Sequence, residues 1–240
     1  MNSKKIIKNI SDWLKNYCLK SQINGFVVGV SGGVDSAVTS TLCAKTGLPV
    51  LCLDLPIYQS KEEQNRALNH LKWLKERFPN VSFKSIDLSK TFSSFENSVD
   101  LNSNQNNLLS LANSRSRLRM TTLYYYAGLN NSLVAGTGNK VEDFGIGFYT
   151  KYGDGGVDIS PIADLYKTEV FEIAKELEII SDIIKAKPTD GLWDDKRSDE
   201  DQIGATYEEL EWAMKEKDFG NKSFEYSGRE KEVFEILNLS

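Results

Sequence analysis

The chain of 240 residues is long enough to bury a substantial core, and its 40% hydrophobic and 26% charged residues are typical of a folded globular protein. The formal net charge of −5 argues against a broad nucleic-acid-binding surface, and no apolar run approaches the ~18 residues of a membrane span. The three cysteines are scattered and show no CxxC spacing, which argues against a zinc or dithiol motif and predicts a reducing, cytoplasmic setting.

Helices and short buried strands alternate along most of the chain. The N-terminal segment has helical spacing and does not resemble a signal peptide, with apolar residues at Ile6, Ile10, Trp13 and Tyr17. Four apolar stretches predict strands at 26–30, 49–55, 81–87 and 132–136. The segments between them predict helices at 37–45, 60–78 and 108–129. This alternation predicts βαβ units with right-handed crossovers, and hence an α/β fold with a doubly wound, mainly parallel sheet flanked by helices.

Two polar segments interrupt the alternation. Residues 93–107 are rich in Ser and Asn and predict an exposed connection. Residues 194–202 are almost all charged, which favours a solvated loop, with a lid over a ligand as the alternative. The chain from Pro161 onward is predicted to be helical. Because we find no internal repeat and no linker, we expect residues 1–240 to form one domain, with an α/β core at about 22–180 and a helical part at about 181–240.

The sequence SGGVDS (residues 31–36) lies between the first predicted strand and the next helix, where phosphate-binding turns occur. Its glycines leave backbone amides open to a ligand, and Ser31 and Ser36 add hydroxyl donors. A carboxylate beside an anion is repulsive unless a cation lies between them, so Asp35 predicts Mg²⁺. The spacing fits neither a Walker A loop nor a dinucleotide-binding fingerprint. The alternative is a glycine-rich turn in which Asp35 or Ser36 only caps the helix.

This loop resembles the signature of the PP-loop ATP pyrophosphatases, which form an adenylate from ATP and release pyrophosphate. Three further segments are similar to NAD synthetases, in the same order: NSRSRLRM (113–120), the glycine-rich stretch GTGNKVEDFGIGFYTKYGDGGVDISPIADLYKTEV (136–170) and PTDGLW (188–193). The resemblance spans residues from about 25 to 210. It implies an adenine nucleotide alpha hydrolase-like fold and a carbon–nitrogen ligase that amidates deamido-NAD with ammonia. The products would be NAD, AMP and pyrophosphate, formed through an acyl-adenylate in the final step of NAD biosynthesis.

The same resemblance implies roles for individual residues. ATP would be bound by Gly29, Val30, Ser31, Gly32, Gly33, Val34, Asp35 and Ser36 of the loop, and by Thr137, Lys167 and Thr189. Asp35 and Glu142 would hold Mg²⁺, and Asp35 and Lys167 would take part in catalysis. Deamido-NAD would be bound by Arg117, Lys151 and Asp158.

The residue pattern alone is less specific than the resemblance. On a helix, Arg115 and Arg119 share one face and Arg117 lies on the opposite one, so only one side can enter a cleft. We expect Arg115 and Arg119 to be solvated or ion-paired at the surface. Lys167 lies beside an apolar stripe, which on pattern alone is more typical of a snorkelling lysine.

Spacing also does not select between the adjacent carboxylates Glu142 and Asp143 as a metal ligand. The KYGDGG segment predicts a tight turn in which Gly155 and Gly156 can adopt positive φ, although a plain glycine loop is an alternative. The one histidine, His70, is expected to be structural or at the surface, because no nucleophile elbow accompanies it.

Several functional alternatives follow from these patterns. A glutaminase would need a second domain with a reactive cysteine, so free ammonia is the expected nitrogen donor. The runner-up is a tRNA-modifying PP-loop enzyme, a ligase or a thiolase, and a third possibility is a regulator that binds nucleotide without chemistry. We expect no membrane or nucleic-acid partner, and the resemblance implies a homodimer. The family's usual C-terminal His-Lys element has no match at residues 237–240.

Overall fold

The computed structural model describes residues 1–99, 105–188 and 198–238. Its central sheet has four strands: β1 (Gly25–Gly29), β2 (Val50–Asp54), β3 (Val81–Ser85) and β4 (Ser132–Ala135). Their order in the sheet is β3-β2-β1-β4, and every neighbouring pair is parallel. The chain therefore starts at β1, moves to one edge and returns to the other side of β1. This confirms the expected doubly wound parallel sheet, whose ligand crevice lies where the strand order reverses.

Ten α-helices occur within the described residues, in the order α1 (Ser3–Ser21), α2 (Val34–Lys45), α3 (Lys61–Arg77), α4 (Ser89–Glu96), α5 (Gln105–Asn130), α6 (Lys167–Glu176), α7 (Ser181–Ile184), α8 (Asp199–Ile203), α9 (Tyr207–Asp218) and α10 (Gly228–Asn238). A short π-helix, Val141–Ile146, follows β4, and one turn of 3-10 helix, Ser223–Glu225, precedes α10. In the described part of the chain, no helix combines the length and the apolar character that crossing a bilayer requires.

Two hydrophobic clusters fix the helices to the two faces of the sheet. Phe26 and Val28 of β1 point to the face covered by α1, α2, α3 and α6, whereas Val27 points to the face covered by α4 and α5. This alternation follows from the two-residue period of a strand. Each such side chain is fully buried and contributes about 1.5–3 kcal/mol to the hydrophobic stabilisation.

A third cluster lies in the C-terminal part of the chain. Leu210 of α9 and Phe234 of α10 pack with Val141, the first residue of the π-helix. All three side chains are at most 1% exposed. The C-terminal helices α9 and α10 therefore pack against the π-helix that contains Glu142.

The N-terminal helix buries a different face from the apolar stripe noted in the sequence. Its buried residues are Ile7, Ser11, Leu14 and Cys18. Trp13 is 44% exposed and Tyr17 is 40% exposed, so that half of the stripe lies at the surface. A small residue explains the shift, because Ser11 allows close contact with α2 and its hydroxyl lies 3.4 Å from the carbonyl oxygen of Leu42.

Two helix boundaries also differ from expectation. The second helix begins at Val34 and not at 37, because Gly33 is the N-cap and loop residues 34–36 form the first helical turn. The polar segment 93–107 is not wholly irregular, since residues 93–96 belong to α4 and α5 begins at Gln105. Part of the charged segment 194–202 lies outside the described residues, and the remainder is a capped helix in which Ser198 accepts from the amide of Asp201.

His70 on α3 is fully buried, which of the two expected settings, structural or surface, selects the structural one. Its Nε2 lies 3.0 Å from the hydroxyl of Ser40, and its ring stacks on Trp73 with centroids 5.4 Å apart. Burial lowers the pKa of His70 to about 3.

This buried histidine should make the fold sensitive to mild acid. Below pH 6.5, the ordinary histidine pKa, His70 binds a proton in the unfolded chain. In the folded protein it stays neutral until the pH falls to about 3. Stability should therefore fall across this window, by about 2 kcal/mol between pH 7 and pH 5 from this group alone. We expect the free energy of unfolding, measured with urea at pH 7 and at pH 5, to change less with pH in His70→Gln than in the wild type, by about 2 kcal/mol. An equal pH dependence in the two proteins would contradict this account.

Candidate active site

A cavity of about 450 Å³ opens at the carboxyl ends of the strands. Its walls include the segments that follow three strands, namely residues 29–36 after β1, residues 53–56 at the end of β2, and Gly136 and Thr137 after β4. This is the crevice in which open α/β sheets bind ligands. The cavity therefore brings the predicted phosphate loop and Thr137 together.

The phosphate loop is held in one conformation by its glycine and serine residues. Gly32 has φ +85°, and a Cβ there would lie 3.0 Å from both the amide nitrogen of Ala67 and the carbonyl oxygen of Glu63 on α3. Only glycine meets both constraints without strain. Ser36 accepts from the amide of Ser31 at 3.2 Å and donates to the carbonyl of Gly33 at 3.0 Å. The N-terminus of α2 thus faces the cavity with a pre-formed turn, an arrangement suited to an anion.

The floor of the cavity contains a buried lysine between two carboxylates. The Nζ of Lys167 donates to Oδ2 of Asp35 at 2.6 Å and to Oε1 of Glu142 at 2.9 Å. The three side chains are 4%, 16% and 15% exposed, respectively, so water screens these interactions only weakly. The expectation that Lys167 snorkels to the surface is therefore wrong, because the first residue of α6 points inward to this pair.

Burial and charge act in opposite directions at this triad. Burial raises the pKa of Asp35, and the neighbouring carboxylate of Glu142 raises it further. Burial would also raise the pKa of Glu142, but Lys167 and a hydroxyl donor outweigh it and lower the value. Although burial disfavours the ammonium form of Lys167, the two carboxylates outweigh it and raise its pKa. Lys167 is therefore a fixed positive charge, and one carboxylate of the pair holds a proton more readily than the other.

Two residues that the sequence analysis did not identify hold these carboxylates in place. Asn139 is fully buried; its amide donates to Oδ1 of Asp35 at 3.2 Å, and its oxygen accepts from the amides of Val141 and Glu142. Tyr207 of α9 donates its hydroxyl proton to Oε1 of Glu142 at 2.7 Å. Asn139 could have been noticed as an amide residue just after β4. No local pattern pointed to Tyr207, because it reaches the site from the C-terminal helices.

The carboxylate pair suits a magnesium ion that is shared with a phosphate ligand. Both carboxylates approach a single cationic atom, the Nζ of Lys167, so they already converge on one point beside the phosphate loop. Mg²⁺ is commonly bound by one or two carboxylates, with phosphate oxygens and water completing its shell. Within the described residues there is no group of three or more His, Cys, Asp or Glu positioned to hold a metal without such help.

The KYGDGG segment is a turn that packs against α5. The carboxylate of Asp154 accepts from the hydroxyl of Ser116 at 2.6 Å and from the amide of Thr150 at 3.1 Å. The left-handed residue of this turn is Tyr152, with φ +64°, and not Gly155 or Gly156, which corrects the sequence expectation. The glycines serve close packing instead, since a Cβ on Gly155 would lie 2.3 Å from the ring of Tyr149.

The residues expected to bind deamido-NAD lie beside the cavity, and none of Arg117, Lys151 and Asp158 is among its described lining residues. All three are exposed. Arg117 donates from Nε to the carbonyl oxygen of Lys151 at 3.0 Å, so these two are brought together. Asp158 accepts from the hydroxyl of Tyr124 at 3.0 Å and from the amide of Val134 at 2.8 Å. Thr189, expected to contact ATP, lies outside the described residues.

Arg119 corrects a further expectation, because it lines the cavity and is not a surface residue. It donates to the carbonyl oxygen of Leu55 and to Oε1 of Gln59, both at 2.9 Å. Burial, with a smaller effect of Arg115, lowers the pKa of Arg119 to about 10. The apolar period of α5 contained this information, since Arg119 is spaced one turn from Leu123, which is buried.

The parallel sheet, the pre-formed loop and the lysine–carboxylate triad define an α/β protein whose cavity lies at the sheet's switch point and is suited to an anionic ligand. Comparison with known proteins makes this specific. The sequence model of the NAD synthase family matches residues 6–238, and the chain belongs to that family.

Individual relatives agree with this family. The chain is 39% identical over 212 residues to the NH₃-dependent NAD⁺ synthetase of Finegoldia magna, covering 88% of this chain and 84% of the relative. A solved structure of NMN synthetase from Francisella tularensis has a TM-score of 0.85 and 32% identity, covering 100% of this chain and 92% of that one. The NH₃-dependent NAD synthetase of Campylobacter jejuni has a TM-score of 0.78 and 29% identity, with 99% and 93% covered.

Proposed function

We propose that the chain is an ammonia-dependent carbon–nitrogen ligase that amidates deamido-NAD with ammonia and ATP, giving NAD, AMP and pyrophosphate. This reaction is the last step of NAD biosynthesis. The observation that carries the proposal is the buried contact of Lys167 with Asp35 and Glu142 beside the phosphate loop, in a chain of the NAD synthase family. The family favours this reaction over the tRNA-modifying alternative.

In this proposal the loop residues 29–36 bind the phosphates of ATP, and Thr137, which lines the same cavity, contributes a further contact. Asp35 and Glu142 would hold Mg²⁺, which when bound offsets negative charge on the phosphates. Lys167 adds a fixed positive charge beside these two carboxylates, because its ion pairs with them orient it in a poorly hydrated environment. Asn139 and Tyr207 keep the two carboxylates oriented toward the same point.

The chemistry then requires two displacements. An oxygen of the nicotinate carboxylate attacks the α-phosphorus, the bond to the bridging α–β oxygen breaks, and pyrophosphate leaves with that electron pair. Ammonia next attacks the acyl carbon, AMP leaves, and the nitrogen loses a proton to give the amide. The protein supplies orientation and charge stabilisation, and no covalent nucleophile is needed. Lys167 stabilises the charge that develops on the departing pyrophosphate.

Ammonia fits the chain better than glutamine as the nitrogen donor. Glutamine hydrolysis uses a reactive thiolate, but Cys18, Cys43 and Cys52 are all buried. Burial raises the pKa of Cys18 to about 11 and that of Cys52 to about 12, so these thiols stay protonated.

We also propose that the enzyme is a cytoplasmic homodimer. The helix α5 carries exposed apolar residues, Leu108, Leu109, Tyr125 and Leu129 among them. Exposed large apolar residues of this kind favour contact with a second chain. Arg117 is on this helix and contacts Lys151, so deamido-NAD would bind near the boundary between two subunits.

A second candidate substrate is nicotinate mononucleotide. It is favoured by one observation, the likeness of the whole chain to an NMN synthetase structure at a TM-score of 0.85. The mononucleotide offers the same carboxylate to ATP but lacks the adenylate half, so it would make fewer contacts outside the cavity.

The test supplies ATP, Mg²⁺ and ammonium with either deamido-NAD or nicotinate mononucleotide. We expect NAD and AMP to form in equal amounts, with a higher kcat/KM for deamido-NAD because its adenylate half adds binding energy. A preference for the mononucleotide would establish the second candidate. Formation of ADP in place of AMP would reject both.

A further inference from the structure

We propose that Arg66 on α3 binds the β- and γ-phosphates of ATP, and therefore also the pyrophosphate product. The inference rests on the proposed function, in that it takes ATP as the ligand of the phosphate loop. It adds a phosphate-binding residue on α3, outside the motifs that carry the family resemblance.

The position of Arg66 follows from the tight packing of the loop on α3. Arg66 lines the cavity together with Gly32 and Gly33. A Cβ built on Gly32 would lie 3.2 Å from the Cβ of Arg66. The arginine stem therefore starts against the loop itself, and a guanidinium on this stem has the length to reach an anion that the loop amides bind.

The guanidinium of Arg66 is poorly hydrated and incompletely paired. Its side chain is 16% exposed, and its single ion pair among the described residues is a 3.3 Å contact from Nη1 to Oε1 of Glu62. That carboxylate is 83% exposed, so water screens the pair. The Nε atom of Arg66 is buried and has no hydrogen-bond partner within the described ranges. A buried donor without an acceptor is unfavourable, and a phosphate oxygen would satisfy it.

The other cations of the cavity wall are differently placed. Lys167 is held by Asp35 and Glu142, and Arg119 donates to Leu55 and Gln59, so both have fixed acceptors. Lys187 also lines the cavity but is exposed. Among these cations of the described wall, Arg66 is therefore the one that is largely buried and whose Nε has no acceptor.

The experiment compares the affinities of the full-length protein for Mg²⁺-pyrophosphate, for ATP and for AMP, measured by calorimetry. We expect Arg66→Gln to weaken pyrophosphate and ATP binding by roughly tenfold or more and to leave AMP binding unchanged, because AMP lacks the two phosphates. Arg66→Lys should recover part of the loss, since it restores the charge but not the planar fork. The matched control is Arg77→Gln on the same helix, where the guanidinium lies over Trp73 and away from the cavity.

Equal losses for AMP and pyrophosphate in Arg66→Gln would indicate a structural role and overturn the proposal, as would unchanged pyrophosphate affinity. Glu62→Gln removes the competing carboxylate and should tighten pyrophosphate binding; weaker binding would count against the proposal. The activity of the wild type distinguishes a failure of the role of Arg66 from a failure of the proposed function. If it forms NAD and AMP while Arg66→Gln keeps full pyrophosphate affinity, only the role of Arg66 fails. If it forms no AMP, the proposed function fails as well.

Discussion

Lys167→Met should reduce turnover by at least about 100-fold, the size of effect seen when one pre-oriented electrostatic contact to a transition state is removed. The ammonium group lies 2.6 Å from Asp35 and 2.9 Å from Glu142, so its position is fixed before any substrate arrives. Methionine keeps the length of the side chain but brings no charge to the departing pyrophosphate. The KM for ATP should change less than kcat, because the charge is needed most as the bond breaks.

The same substitution should also destabilise the protein without substrates. It leaves two buried carboxylates without their shared cation, and breaking a buried ion pair costs about 3–5 kcal/mol. Thermal unfolding should therefore show a lower Tm for Lys167→Met, and the activity must be measured well below it. Lys175→Met is the matched control, since Lys175 is exposed on the same helix. Turnover within about threefold of the wild type in Lys167→Met would remove the lysine from the mechanism.

Asp35→Asn should have a comparably large effect on turnover, again of about 100-fold or more, for a different reason. The amide keeps the shape of the side chain and an acceptor for the Asn139 contact of 3.2 Å, but it is a much weaker magnesium ligand. Lys167 retains Glu142 as its partner, so the fold should survive. The rate should therefore require a higher Mg²⁺ concentration for half-saturation as well as reaching a lower maximum.

Asp12→Asn is the control for this second substitution, because Asp12 is an exposed carboxylate that pairs with Lys8 on α1. It should leave both the maximal rate and the magnesium requirement unchanged. An unaltered magnesium dependence in Asp35→Asn, with normal turnover, would disprove the metal-binding role of this carboxylate.

The sheet and the phosphate loop could be predicted because their signals are local. The strand around Phe26 is a continuous apolar run, and glycines follow where the backbone must turn, with Gly32 adopting the positive φ that such a turn uses. Parallel strands end at a common edge, so placing the loop after β1 also placed it in the cavity. The chemistry suggested by Asp35 followed from the same local context.

The remainder of the site depends on contacts between distant parts of the chain. Lys167 is 132 residues from Asp35, and Tyr207 is 65 residues from Glu142. No periodic pattern in the sequence indicates contacts over such separations. Sequence similarity indicated Lys167 and Glu142, whereas the role of Tyr207 became apparent only from the packing of the C-terminal helices. The apolar stripe beside Lys167 did not predict its position. A lysine in such a setting usually reaches the surface unless acidic partners lie inside.

Isotope labelling of the substrate carboxylate tests the central claim most directly. Deamido-NAD carrying ¹⁸O in the nicotinate carboxylate is incubated with ATP, Mg²⁺ and ammonium, and the phosphorus products are examined by mass spectrometry. Attack on the α-phosphorus, with pyrophosphate leaving beside Lys167, predicts one ¹⁸O atom in AMP and none in pyrophosphate. Label in orthophosphate, accompanied by ADP, would show attack on the γ-phosphorus and would contradict the account of how this loop and its lysine work.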